Sequence, residues 1–183
     1  MKRAIVTSLV LLALSTNLAA AGAHEFLASS TGKITLKLLT NAVFHNAAGN
    51  MDCTGASIVN GAVTTTKSVT LVSTFQFEKC KAFGLNMAIS PVNVRSTADG
   101  SVSLLKPVTA KALECLIVIP TTKNQNLKTI KYNNTNKQIE KVAGVTLIES
   151  QGFGAACSYE RETRGVFTGD ALVGLIGGTL DWQ

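Results

Sequence analysis

The sequence predicts an all-β domain, an antiparallel β-sandwich or barrel of roughly 9–11 short strands, behind an N-terminal signal peptide. Three observations carry this. Hydrophobicity alternates with period two in successive segments after residue 30. Turn-forming pairs separate those segments. The residues before them have the layout of an export leader.

The leader comes first. Lys2 and Arg3 are the only charges before Glu25, and Ala4 to Leu14 form an apolar run that gives way to Ser15-Thr16-Asn17. Small residues at Ala21-Gly22-Ala23 complete the pattern of a signal peptide over 1–23, with cleavage after Ala23 and a second acceptable site at Ala19-Ala20-Ala21. A membrane-spanning helix needs about 20 mostly apolar residues, and this run is shorter. The expected product is a single domain over 24–183, secreted or otherwise extracytoplasmic, with no stable membrane span after cleavage. The net charge of +6 includes Lys2 and Arg3, so the processed chain is only mildly basic. Nucleic-acid binders cluster positive charge far more strongly, so nucleic acid is not an expected partner.

The strands are read in order. Lys33 to Leu39 alternates. Val69 to Glu78 places Val69, Leu71, Phe75 and Phe77 on one face and Thr70, Val72, Thr74, Gln76 and Glu78 on the other. Leu85 to Val94 and Ser101 to Leu105 follow the same rule. Leu113 to Ile119 is more continuously apolar and reads as a central strand. Leu127 to Tyr132, the stretch around Val145 to Ile148, Cys157 to Glu162, Val166 to Ile176 and Thr179 to Trp182 complete the set. Asn60-Gly61, Asp99-Gly100, Asn133-Asn134 and Gly177-Gly178 are the expected turns. Gln138 to Ala143 has the composition of a helical turn, and no segment has the pattern of a long amphipathic helix.

Four cysteines, Cys53, Cys80, Cys115 and Cys157, allow three connectivities. None are spaced C-x-x-C, as zinc ligands or a redox dithiol would be. In an oxidising compartment two structural disulfides are expected, and sequence neighbourhood favours Cys53–Cys80 and Cys115–Cys157.

His24 and His45 are the only histidines. Cleavage after Ala23 would leave His24 with a free α-amine beside its imidazole. Those two nitrogens and the imidazole of His45 form a donor set suited to copper, the brace of secreted oxidases. The plainer expectation is an N-terminal His of no consequence and a loop-end His45, with no cofactor. A triad would have to use one of these two imidazoles, and no G-x-S-x-G elbow is present. Glu160 and Glu162 share a strand face with arginines close by, as exposed cross-strand charges do. Gly152-Phe153-Gly154 imitates a dinucleotide loop, but a strand-like run follows where a helix is needed. No catalytic residue is therefore assigned.

Lys123, Lys128, Lys131, Lys137 and Lys141, interleaved with Asn and Gln, make a basic stretch. Lys128, Lys131 and Lys137 are its candidate contacts to an anionic or sugar-rich cell-surface polymer. The plainer explanation is an edge hairpin protected by lysine.

Several pieces form a wider resemblance: Asn41 to Phe44 before Cys53, Cys80-Lys81-Ala82-Phe83-Gly84, Cys115 to Pro120, Ile130 to Asn134, Gly144-Val145-Thr146 with Cys157, and Phe167-Thr168-Gly169 with Gly178. Together they resemble a group of secreted β-rich proteins of unknown function from Gram-positive soil bacteria. The chain departs from that pattern in lacking a cysteine pair near Val92 and Lys106. The resemblance implies an exported β-rich fold and adds little about function. The function expected from sequence is a non-catalytic exported domain with a structural or binding role at or outside the cell surface. The alternatives are the copper oxidase and a small-ligand carrier, should the strands enclose an apolar cavity.

Overall fold

The structure is a computed structural model that describes residues 24–46, 49–121, 126–127, 131–140, 148–155, 157 and 161–183. The proposed leader, residues 1–23, lies outside them. Eighteen strands and no helix occur among the described residues. They are β1 (Phe26–Ala28), β2 (Gly32–Leu38), β3 (Ala42–Asn46), β4 (Gly49–Val63), β5 (Lys67–Ser68), β6 (Thr70–Ala82), β7 (Leu85–Ile89), β8 (Val92–Thr97) and β9 (Val102–Leu104). Then follow β10 (Val108–Ala112), β11 (Cys115–Ile119), β12 (Asn126–Leu127), β13 (Lys131–Asn133), β14 (Gln138–Glu140), β15 (Ile148–Phe153), β16 (Arg161–Thr168), β17 (Ala171–Leu175) and β18 (Leu180–Trp182).

Two long strands organise the molecule. β4 has 15 residues and β6 has 13, and they pair antiparallel from Met51↔Ala82 to Gly61↔Ser73. One branch of pairings leads from β6 through β7, β10, β11, β15, β16 and β3 back to β4. At the other end of the ribbon β2 joins β4 and leads to β17, β14 and β13, while β8 joins β6 and leads to β9 and β12. The sheets are antiparallel, and beyond the ring of pairings that starts and ends on the β4–β6 ribbon the large one runs out to open ends at β12 and β13. A separate three-stranded sheet, β18-β1-β5, ties the beginning of the described chain to its end.

Each end of the ribbon has its own core. The first gathers Ala42, Cys53, Cys80, Ile89 and Val108, with Phe44, Phe77 and Phe167 packed against it. Those three rings sit 4.7–6.0 Å apart in tilted and edge-on arrangements, each contact worth about 0.5–1.5 kcal/mol beyond area burial. The second core gathers Ala28, Ile34, Val63, Val173, Leu175 and Leu180.

Both expected cystines are present, Cys53–Cys80 and Cys115–Cys157. The first joins residues directly opposite on β4 and β6, both buried. The second ties the start of β11 to the loop after β15.

The all-β, antiparallel reading holds, with more strands than the alternation alone separates and with the 15-residue β4 in a stretch where the alternation marks no strand. Four local expectations need correction. Asn60-Gly61 is not a turn. It lies within β4 at a register shift, where a Cβ on Gly61 would stand 2.9 Å from Ile58 Cγ2 and 3.0 Å from Ser73 Cβ. The glycine there serves close packing rather than reversal. Val69 is exposed, because the Ser68 hydroxyl accepts the Thr70 N–H at 3.2 Å and breaks the strand between β5 and β6. Leu113 is not in a central strand but at the β10–β11 tip, 72% exposed with φ 50°. Gln138 to Glu140 is strand β14, paired with β13 and β17, and not the start of a helical turn.

β6 also changes phase along its length. Ser73 is buried and Phe75 and Phe77 pack on the first core, yet two residues at even positions, Cys80 and Ala82, are buried too. Between them Lys79 has φ 52°. One left-handed residue rotates the strand so that both parities turn inward.

Candidate functional site

The second core is not filled. A cavity of about 70 Å³ lies within it. β2 supplies Ile34 and Leu36, β4 supplies Ile58, and β6 supplies Leu71, Ser73 and Phe75. Val173 on β17 and Tyr132 on β13 close the far side, and Phe26, Leu180 and Trp182 come from the three-stranded sheet. Ser96, Thr97, Gly100, Ser101 and Val102, from β8, β9 and the turn between them, make the more polar wall. Period-two alternation explains the lining, since alternate residues of each strand face the same side.

Hydrogen bonds fix the wall where the chain ends meet. Tyr132 Oη donates to the Leu180 carbonyl at 2.8 Å. Burial, and secondly the Asp181 carboxylate, push the phenol pKa up to about 12. The Trp182 N–H donates to Asn134 Oδ1 at 2.7 Å, the Asn134 amide donates to the Trp182 carbonyl, and the indole N–H donates to the Ala98 carbonyl. Glu25 and Gln183 exchange backbone bonds of 2.8 and 2.9 Å.

The Asp99-Gly100 turn sits beside this wall as expected. Asp99 Oδ1 accepts the Ser101 hydroxyl at 2.7 Å and the Ser101 N–H at 2.9 Å. These bonds, the hydroxyl first, hold the Asp99 carboxyl below its ordinary pKa, and nearby His24 adds a smaller lowering.

The sequence-derived candidates fall in several places. His24 packs its ring on Trp182, with centroids 5.7 Å apart, at the meeting of the chain ends. His45 is on β3, with Nδ1 2.7 Å from Asn50 Oδ1 across the hairpin. The two imidazoles are held by different elements with different partners. No group of three or more His, Cys, Asp or Glu placed to hold a metal ion occurs among the described residues. All four cysteines are used in disulfides.

Of the basic stretch, Lys128 lies outside the described residues. The Lys131 backbone is on β13 opposite Glu140. The Lys137 ammonium pairs with Asp181, the two side chains 38% and 37% exposed. Lys137 thus has a carboxylate partner on β18 that its sequence neighbourhood does not reveal. Glu160 also lies outside the described residues. Gly152 and Phe153, read from sequence as part of a loop before Cys157, instead end strand β15, and Gly154 follows it.

Tyr132, Trp182 and Ser73 were not singled out from sequence. A serine on the inner face of an otherwise apolar strand, and the chain's one tryptophan in the last strand, were the available signals. Neither acquires meaning until the ends of the chain are brought together.

No protein-family model matches the chain, and no curated protein or solved structure matches it significantly.

Proposed function

We propose that this chain is an exported, non-catalytic domain with a structural or binding role at or outside the cell surface. The observation that carries the reading is the pair of cystines, one of them wholly buried at the heart of the β4–β6 ribbon. A core built around a disulfide belongs to an oxidising compartment. The leader-like residues 1–23 supply the route there. Among the described residues no helix is long and apolar enough to cross a membrane.

Cell fractionation with N-terminal sequencing and thiol counting tests the proposal. An extracytoplasmic product beginning at His24, with no titratable thiol after denaturation, supports it. A cytosolic product with four free thiols sinks it. For the binding role, Lys128, Lys131 and Lys137 are the contacts proposed for an anionic or sugar-rich polymer. Replacing all three with glutamate removes retention on cell-wall material if they serve it. Unchanged retention takes that stretch out of consideration.

The cavity favours a second reading, a small-ligand carrier. Its apolar walls and its few hydroxyls are the composition of a ligand pocket.

A further inference from the structure

The cavity's chemistry narrows what it can hold. Among its lining residues the polar side chains are Ser73, Ser96, Thr97, Ser101, Tyr132 and Trp182. The phenol of Tyr132 and the indole N–H of Trp182 already donate to the carbonyls of Leu180 and Ala98. What remains among the described lining residues is the hydroxyls of Ser73, Ser96 and Thr97, with that of Ser101 donating to Asp99 Oδ1 at 2.7 Å. Ser73 is 5% exposed and lies within the apolar part, while Ser96, Thr97 and Ser101 are half-buried. An ion moved into such a site gives up its hydration with no charged side chain among the described lining residues to replace it, so charged groups are disfavoured.

Size narrows it further. The space of about 70 Å³, a partly open pocket rather than a sealed cavity, is roughly half of the about 150 Å³ apolar cavity that accepts benzene. A ring is too large, whereas the last few carbons of an unbranched chain are not. Ile34, Leu36, Ile58, Leu71 and Val173 make an aliphatic part of the walls, beside the rings of Phe26, Phe75, Tyr132 and Trp182.

We infer that this cavity binds the apolar end of an uncharged aliphatic molecule, seated among Ile34, Ile58, Leu71 and Val173 with its polar end at Ser96, Thr97 and Ser101. The inference rests on the carrier reading and specifies its ligand.

The protein carries its own reporter, because Trp182 is its only tryptophan and lines the cavity. Purified protein is titrated with 1-alkanols from ethanol to octanol, following Trp182 fluorescence and the thermal midpoint, and with hexanoate and benzene in parallel. Affinity should rise about fourfold per added methylene until the space is filled, then level off. Hexanoate should bind at least tenfold more weakly than 1-hexanol, by the cost of burying charge near the hydroxyls. Ile58→Phe, which fills the space, should weaken 1-hexanol at least tenfold. Leu71→Phe on the neighbouring strand serves the same purpose should the first variant not fold. Equal binding of hexanoate overturns the uncharged class, and a flat alkanol series with benzene bound overturns the chain-end geometry; either leaves the carrier reading standing. No response to any of these probes removes both.

Discussion

The phenol of Tyr132 on β13 donates to the main-chain carbonyl of Leu180 on β18 at 2.8 Å, across a sequence separation of 48 residues. This bond joins the large sheet to the small one at the wall of the cavity. Burial of that phenol, and secondly the Asp181 carboxylate, make the junction sensitive to alkali. The folded phenol titrates near 12, while an unfolded tyrosine titrates near 10, so between those values the unfolded chain has released a proton that the folded one retains. The contribution is fully present below about pH 10 and is lost as pH rises through about 12. Tyr132→Phe should lower stability at neutral pH by about 0.5–1.5 kcal/mol and flatten the alkaline decline. Urea unfolding from pH 7 to 12 measures both; an equally steep decline in the variant would assign it to other groups.

The two cystines should differ in what their removal costs. Loop entropy alone predicts about 3–4 kcal/mol for either, with sequence separations of 27 and 42. Cys53 and Cys80 are buried in the first core, whereas Cys157 is half-buried. Replacing the first pair with alanine therefore loses packing as well as the cross-link. Equilibrium unfolding should show the Cys53/Cys80 double variant to be the less stable of the two, although its loop is shorter.

Leu113 holds φ 50° at a hairpin tip while 72% exposed, so its side chain contributes little packing against the cost of a left-handed backbone. Leu113→Asn should stabilise the fold by about 0.5–1 kcal/mol. Phe83 has a similar φ of 53°, but its ring lies over Gly49. Phe83→Asn should gain less or lose, because it uncovers that contact. Thermal midpoints of the two variants, compared side by side, distinguish them; equal gains would show that the Phe83 ring contributes nothing.

Gly154 has φ +106°, and a Cβ placed there would fall on the Glu114 carbonyl oxygen at the mouth of the loop closed by Cys157. Gly154→Ala should cost about 2–4 kcal/mol, from crowding and backbone strain together. Gly84 has φ +77° with open space around it. Gly84→Ala meets only the backbone term and should cost about 1–2 kcal/mol. Denaturant midpoints that fell equally would remove the Glu114 clash as a cause.

The resemblance motif Cys80-Lys81-Ala82-Phe83-Gly84 acquires a physical account from these positions. Cys80 is bridged, Ala82 is buried, and Phe83 and Gly84, both at positive φ, form the reversal into β7. Two successive left-handed residues match the twist of a tight hairpin. The alternation of β6 was legible as far as Phe77. Its later change of phase was not, because no composition signal marks Lys79 as left-handed. Asn60-Gly61 misled for a related reason, since a glycine needed for close approach has the same letter as one needed for a turn.

Alternation and turn pairs by themselves pointed to an all-β antiparallel chain, and sequence neighbourhood favoured the two bridges found among three possible connectivities. Those are properties of near neighbours, governed by side-chain parity and by loop length. Tertiary structure decided what sits beside what: Lys137 with Asp181, Tyr132 with Leu180, His24 with Trp182. It also decided that the second core leaves a pocket. Such pairings depend on how twisted strands with distant registers pack against one another, and a one-dimensional pattern holds no term for that distance.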